Sequence, residues 1–300
     1  MNEESLDLLF QAGKIATRVK ERAYGLVREG VRLIEICEAV EMMIESEGGK
    51  PAFPCNVCVD EVAAHYSPPP NDPSIVPPNA LVKVDMGVHL EGYIVDTAIT
   101  VSLSREKQPL VLAAEEALRA AVKLIRAGTR LGEIGATIQH TIQKAGFKPV
   151  RNLTGHEISR YNLHGGVSIP NVALPDPRRV VKGAVYAIEP FTCPMKAAGE
   201  VVNSDTSTIF RLDVRKIPTA KLKPDEKALV EYIERGFRGL PYSPRWLSAS
   251  NVPDPLSLHE RLARTGRVHK YPVLVEKTRQ PVAQAECTVY VDEDGCRVLT

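Results

Sequence analysis

The sequence has few of the residues that mark specialised protein classes. Only 5% of its 300 residues are aromatic, there is a single Trp, and six cysteines are scattered along the chain. So few cysteines do not make a disulfide scaffold, and we expect reduced thiols. No apolar run reaches the roughly 20 residues that span a bilayer. The acidic start Met1–Glu4 lacks the features of a signal peptide. These absences predict a cytosolic protein without a membrane span.

The chain also lacks an overall charge bias. Its formal net charge is +1, with 38 Lys and Arg against 37 Asp and Glu. The whole molecule therefore has no electrostatic preference for DNA or for a membrane. The remaining composition, 44% hydrophobic and 25% charged, is typical of a globular protein with one large domain or two modest ones.

The spacing of apolar residues divides the chain into helices and strands. It predicts helices over 4–29, 33–47, 110–126 and 131–145, with two shorter ones over 225–235 and 256–264. Extended segments are predicted at 51–62, 81–88, 93–103, 180–190, 206–211, 271–276 and 282–291. Two helices followed by strands occur twice, and helices interrupt the chain before the last strands. The predicted fold class is α+β with mainly antiparallel strands.

Two aspartates lie in the hairpin predicted between residues 81 and 103. If Leu90 and Glu91 form its tip, Asp85 and Asp96 are opposed, because both are equally far from the tip. Directly opposed residues have Cβ atoms about 4.5–5.5 Å apart, and two carboxylates at that distance repel unless a proton or cation lies between them. The pair indicates a metal site. A slipped register, with one aspartate in solvent, is the alternative.

Other segments carry residue types that ligate metals. His156 and His164 occur in a glycine-containing stretch, and His65 follows two alanines. Glu189 ends an apolar strand and Glu286 lies within one, so each points either to water or into a site that compensates its burial. A single histidine is more often structural than a ligand. Each segment alone is therefore ambiguous, and the combination carries the argument.

Together these segments resemble the methionine aminopeptidases over nearly the whole chain. The matching features, in order, are Phe53-Pro54, Ala64-His65-Tyr66, Asp85 and Asp96, Gly155-His156, Leu163-His164-Gly165, Ile188-Glu189-Pro190-Phe191 and Glu286. The resemblance implies a pita-bread fold, in which two related halves surround a two-metal site. Residues 211–270 resemble the insert of type 2 enzymes, and the lack of a long N-terminal extension resembles their archaeal members. We expect a catalytic domain over 1–210 and 271–300, with a helical insert subdomain over 211–270.

The resemblance also implies a set of metal ligands. Asp85 would bind one metal, His156 and Glu189 the other, and Asp96 and Glu286 would bridge the two. An oxygen-rich set with one nitrogen suits Co, Mn, Fe or Zn. Two such ions can share a water, lower its pKa and polarise the scissile carbonyl, and one would bind the α-amino group of the substrate.

Further roles follow from the same resemblance. Glu189 would also carry a proton from the water to the leaving amine. His65 and His164 would hydrogen-bond the scissile amide or the tetrahedral intermediate. Phe53, Leu163 and Tyr271 are the candidates for a methionine pocket, since a thioether favours apolar and aromatic contacts.

The implied activity is removal of the initiator methionine from nascent proteins with a small second residue, by an enzyme expected to be a monomer. Two alternatives are an inactive binding module of the same fold and a proline-directed aminopeptidase. An inactive module would be expected to have lost ligands, whereas all five positions are filled here.

Two features lie outside this scheme. Cys55 and Cys58 form a Cys-x2-Cys pair, which we interpret as small residues beside the substrate pocket because zinc would need a second pair. Residues 211–270 contain 13 Lys and Arg against 7 Asp and Glu. This surplus favours either a solvated, ion-paired helical face or a surface that docks on ribosomal RNA.

Overall fold

A computed structural model of the chain describes residues 1–213 and 222–300. Within these residues the helices are α1 (Glu3–Ala23), α2 (Leu33–Ser46), α3 (Gln108–Val122), α4 (Leu131–Lys144), α5 (Pro224–Phe237) and α6 (Pro255–Arg264). The strands are β1 (Lys50–Pro51), β2 (Asn56–Val59), β3 (Val62–Ala64), β4 (Leu81–Leu90), β5 (Tyr93–Ser102), β6 (Phe147–Pro149), β7 (Thr154–Ile158), β8 (Ser168–Pro170), β9 (Val185–Ile188), β10 (Phe191–Pro194), β11 (Val201–Leu212), β12 (Val268–Glu276), β13 (Ala283–Gln284), β14 (Cys287–Val291) and β15 (Cys296–Val298). None of the described helices is long and apolar enough to cross a membrane.

Helix α1 begins where the sequence provides a cap. The Asn2 side chain accepts a hydrogen bond from the Ser5 backbone N–H, and Glu3 and Glu4 lie in the positive first turn. The helix ends at Ala23 and a 3₁₀ turn follows, so the predicted helix over 4–29 was too long. Its buried face is rich in alanine, which lets α1 pack closely on β4 and β5.

Each of the two halves has a helix pair over antiparallel strands, as the sequence predicts. In the first half β5 and β4 pair, β4 also pairs with β1 and β2, and α1 and α2 pack against this sheet. In the second half the strand order is β15-β14-β9-β7-β8, and residues of α3 and α4 share a buried cluster with β9 and β14. All pairings among the named strands are antiparallel.

The β4–β5 hairpin corrects one prediction. Leu90 pairs with Tyr93, so the turn is Glu91-Gly92, with positive φ at both residues. Asp85 therefore pairs with Ala98, and Asp96 pairs with Gly87. The predicted direct opposition of the aspartates is wrong by two residues, because the two central residues of the turn are Glu91 and Gly92 rather than Leu90 and Glu91. A shift of two keeps every side chain on its face, so the aspartates are diagonal neighbours on one face.

The predicted insert, residues 211–270, contains helices in its described part, and residues 214–221 lie outside the described residues. Helices α5 and α6 and the 3₁₀ segment Pro244–Ser250 bury a cluster that continues onto Phe210, Leu212 and Val268. The insert is fixed to the body by Arg245, whose Nη1 lies 3.0 Å from Glu41 Oε2 on α2.

Candidate metal centre

One cavity of about 310 Å³ contains every side chain predicted for the site. Its walls include Phe53, His65, Asp85, Asp96, His156, Leu163, His164, Glu189, Tyr271 and Glu286. Among the described residues that line it, there is no Lys or Arg. Residues distant in sequence therefore meet in a space that is acidic at its centre and apolar at its edges.

Three carboxylates converge because three strands are joined at this point. Asp85 and Asp96 come from the middle of β4 and β5, and Glu286 forms a β-bridge with Ala98 on β5. The Thr288 hydroxyl accepts a hydrogen bond from the Asp96 N–H (2.7 Å) and donates one to the Asp96 carbonyl (2.8 Å). The backbone of Asp96 is thus fixed to β14, and its side chain is held in the cavity.

His156 and Glu189 reach the same cavity from the second half. His156 pairs with Ala187 on β9, and Glu189 follows β9 directly. The residue before the histidine is a glycine for a steric reason: a Cβ at Gly155 would come within 2.3 Å of the Ala187 carbonyl oxygen. The close approach of β7 to β9 therefore depends on Gly155, and it sets the position of His156.

The geometry identifies a group of potential ligand atoms. Asp96, His156 and Glu286 each offer one atom, and these three atoms lie within 4.8 Å of one another. His156 Nε2 lies 3.6 Å from Asp96 Oδ2 and also 3.6 Å from Glu189 Oε1, beyond ordinary hydrogen-bond distance. His156 Nδ1 lies 3.4 Å from the Glu157 carbonyl oxygen and is therefore its donor. This tautomer leaves an Nε2 lone pair facing two carboxylate oxygens.

The described residues compensate the buried carboxylates only in part. Among the described residues, Asp85 Oδ1 and Asp96 Oδ1 are buried and have no hydrogen-bond partner. Burial raises the pKa of Asp96 to about 8. Burial, with the neighbouring charge of Asp96, also raises the pKa of Asp85, Glu189 and Glu286 well above the usual carboxyl range. Four such groups need protons or cations to share one buried space.

His65 and His164 flank the acidic group. Burial lowers the pKa of His65 to about 4, and its Nδ1 lies 3.2 Å from the Pro272 carbonyl oxygen. That contact makes Nδ1 the donor and leaves Nε2 as an acceptor. Enclosure by the cavity walls, with the charges of His156 and Arg211, lowers the pKa of His164 to about 3. The His164 ring packs edge-on against His156, with ring centroids 4.5 Å apart. Both side chains are neutral hydrogen-bonding groups near pH 7.

The apolar edge of the cavity contains the predicted methionine-pocket residues. The Phe53 ring packs against Gly87 of the hairpin. This contact requires a glycine, because a Cβ at residue 87 would come within 2.4 Å of the ring. Leu163 is buried, and Tyr271 packs edge-on against His65 with centroids 5.7 Å apart. These residues form an apolar and aromatic surface beside the carboxylates.

Sequence reasoning missed several residues of the site. Gln284 Nε2 donates to Glu286 Oε2 (3.2 Å), and Asn171 Nδ2 donates to the backbone oxygens of Leu153 and Glu189. Ile209 also lines the cavity, from β11. The alternation Gln284-Ala285-Glu286 was a usable signal for the first of these. The others come from loops or from strands whose position depends on tertiary structure.

The two features outside the scheme are also placed. Cys55 and Cys58 are buried on or beside β2, they are free thiols, and they belong to no metal-ligand group found in residues 1–213 and 222–300. In the insert, Arg261 and Arg264 form ion pairs with Glu226 and Glu260 at 3.5 Å. These pairs favour the solvated helical face, and docking on ribosomal RNA stays a prediction.

Comparison with known proteins agrees with this geometry. The model of metallopeptidase family M24 matches residues 7–210. A methionine aminopeptidase from Thermococcus onnurineus is 42% identical, covering 98% of this chain and 99% of that protein. One from Pyrococcus horikoshii is 41% identical over 98% and 99%. The chain therefore belongs to metallopeptidase family M24, a family of metal-dependent peptidases. Both of these relatives are methionine aminopeptidases, which confirms the predicted class of enzyme.

Solved structures show the same fold at low sequence identity. A thermophilic Arx1 structure has a TM-score of 0.85 at 16% identity, covering 100% of this chain and 91% of that one. A methionine aminopeptidase from Thermotoga maritima has a TM-score of 0.72 at 20% identity, covering 100% and 98%. The predicted fold class is confirmed.

Proposed function

We propose that this chain removes N-terminal methionine from polypeptides with a small second residue, using two divalent metal ions held by Asp85, Asp96, His156, Glu189 and Glu286. The observation that carries the proposal is the position of His156 Nε2, which lies 3.6 Å from a carboxylate oxygen of Asp96 and 3.6 Å from one of Glu189. Acceptors facing acceptors in a buried space repel, and a cation between them removes the repulsion.

The donor set fits divalent transition metals. It contains four carboxylates and one imidazole, all in one cavity, and no thiolate. Co, Mn, Fe and Zn all accept such ligands, so the set does not choose among them. When bound, the metals would lower the pKa of a water molecule and polarise the scissile carbonyl. Asp85, Asp96, His156, Glu189 and Glu286 would together hold the two ions.

The protein's own residues supply positioning and proton transfer. Glu189 has a raised pKa and lies at the cavity surface, so it can take a proton and return it to the leaving amine. His65, as the Nδ1–H tautomer, presents Nε2 as an acceptor for the N–H of the scissile amide. His164 is neutral and can hydrogen-bond the oxygen on which negative charge develops.

The shape of the cavity supports exopeptidase specificity. Its acidic centre would receive the substrate's α-amino group, which only the first residue of a chain carries. The apolar surface of Phe53, Leu163 and Tyr271 would receive the methionine side chain. We also propose that residues 1–210 and 271–300 form the catalytic domain and that the insert is a subdomain. A monomer acting on nascent chains in the cytosol stays a prediction.

Glu189→Gln is the direct test. Turnover of Met-Ala-Ser should fall by about 10²–10⁴-fold, because the amide keeps the size of the side chain but removes the proton carrier. Metal content is measured on the same preparation by elemental analysis. Glu293→Gln is the matched control, since Glu293 is an exposed carboxylate paired with Lys182. Unchanged turnover in Glu189→Gln with metal still bound would exclude the role. Faster cleavage of an Xaa-Pro peptide by the wild-type enzyme would favour the proline-directed alternative.

A further inference from the structure

Arg211 lies beside the cavity on a strand that separates two environments. Along β11, Phe210 and Leu212 are buried in the cluster formed with the insert helices. Side chains alternate along a strand, so Ile209 and Arg211 project to the opposite face. Ile209 lines the metal cavity and pairs with Tyr271, which lines it too. Arg211 therefore lies two residues beyond Ile209, on the face of β11 that is directed towards the cavity.

Arg211 is half-buried, and its guanidinium is not fully paired among the described residues. Its Nε is buried and has no hydrogen-bond partner among the described residues. Arg211 also forms no ion pair within residues 1–213 and 222–300, whereas many other arginines there do. A buried donor without an acceptor destabilises the folded protein.

The charge of Arg211 also reaches the catalytic cavity. It contributes to the low pKa of His164 and opposes the rise in the pKa of Tyr271 that burial causes. Both side chains line the cavity. A cation at this edge complements the acidic centre. It is placed to meet the part of a peptide that extends out of the cavity, since an extended chain advances about 3.3 Å per residue.

We propose that Arg211 is a specificity-determining residue that binds a carboxylate on the substrate two or three residues beyond the methionine. The inference rests on the proposed function. Guanidinium groups bind carboxylates through paired charge-assisted hydrogen bonds, and because Arg211 is only half-buried, its Nη groups would donate them. The carboxylate comes either from an acidic side chain at the third or fourth residue or from the free C-terminus of a short peptide. Among substrates that begin with methionine and a small residue, the enzyme therefore prefers those with an acidic residue at the third or fourth position.

The test compares peptides within each enzyme variant. The substrates are Met-Ala-Ser-Ser amide, Met-Ala-Asp-Ser amide, Met-Ala-Ser-Asp amide, Met-Ala-Lys-Ser amide and Met-Ala-Ser with a free C-terminus. For the wild-type enzyme we expect kcat/KM to be about 3–10-fold higher for an Asp peptide than for the Ser amide, mainly through KM. The Lys peptide should be the poorest substrate, and 0.5 M salt should reduce the preference.

Arg211→Met should bring the Asp-to-Ser ratio close to one, and Arg211→Lys should keep part of it. Lys270→Met is the matched control. Lys270 is exposed and pairs with Phe210, so it lies on the face of the sheet opposite to Arg211. Its replacement should leave the Asp-to-Ser ratio of the wild-type enzyme unchanged. A preference limited to the free C-terminus identifies that source, and one kept in the amides identifies the side chain. Equal kcat/KM of the wild-type enzyme for the Asp amides, the free-C-terminus peptide and the Ser amide, or a preference that Arg211→Met does not change, overturns the proposal. Absence of cleavage of every peptide would instead count against the proposed function.

Discussion

Two groups of buried charge in this molecule use similar residues in opposite ways. At the base of the insert, Glu41 accepts hydrogen bonds from Arg245, from the indole N–H of Trp246 and from the N–H of Cys55, all at 2.9–3.0 Å. In the cavity, Asp85 and Asp96 each have a buried oxygen without a partner among the described residues. The first group is complete within the protein, whereas the second becomes complete only with an added cation. Satisfaction of the polar atoms, rather than burial alone, distinguishes a structural cluster from a binding site.

The largest stability effect should come from breaking the complete group. Arg245→Met leaves Glu41 as an uncompensated buried charge and should cost about 3–5 kcal/mol of unfolding free energy. Asp96→Asn in metal-free protein should cost nothing or should stabilise, because it removes one of several repelling carboxylates. Urea unfolding followed by circular dichroism measures both.

The double variant Glu41→Met/Arg245→Met is the control for this pair. It should recover most of the loss, since no charge is then left buried alone. Equal destabilisation by Arg245→Met and Asp96→Asn would mean that the two groups do not differ as we describe.

A smaller effect should appear in the pH dependence of metal-free protein. The folded-state pKa of Asp96 is raised to about 8 from an ordinary 3.8. The stabilisation that its proton gives to the folded state is therefore fully present below about pH 4 and is lost as pH rises to 8. The lowered pKa values of His65 and His156, about 4 each, act the other way, but only up to about pH 6.5. Between pH 6.5 and 8 the carboxylates therefore determine how stability depends on pH. The free energy of unfolding should fall by up to about 1.4 kcal/mol per pH unit for each proton that the carboxylates hold.

Asp96→Asn sharpens this measurement. Its unfolding free energy should depend less steeply on pH than that of the wild-type protein over the same window. Saturating Mn²⁺ should remove the fall in the wild-type protein, because the cation replaces the protons. A wild-type curve that rises between pH 6.5 and 8 without metal would contradict the assignment of the raised pKa values.

The sequence predicted elements more reliably than their mutual registers. Helices α2 and α4 and strands β4 and β5 lie close to the predicted segments, because their apolar spacing was regular and glycines marked their ends. The hairpin register was wrong by two residues, since the turn depends on the positive φ of Glu91 and Gly92 rather than on hydrophobic pattern. The aspartates remained on one face because the error was even.

The site was predictable as a set of residue types but not as a set of contacts. Carboxylates and histidines at the expected positions could be found in the linear sequence. The contribution of Gln284, the cavity wall at Ile209 and the steric need for Gly155 depend on which strands meet. Arg211 could be counted as part of a basic segment, but only the alternation of β11 against the insert cluster shows that it faces the cavity.

The central claim is that the uncompensated carboxylates form a metal site, and a metal titration tests it most directly. Chelator-treated wild-type protein and Asp96→Asn are titrated with Mn²⁺ by calorimetry at pH 7.5, with Met-Ala-Ser hydrolysis followed in parallel. We expect two ions per chain in the wild-type protein, with activity restored as they bind, and weaker binding with fewer ions in Asp96→Asn. Absence of Mn²⁺ binding in the wild-type protein, or identical binding in Asp96→Asn, would contradict the account.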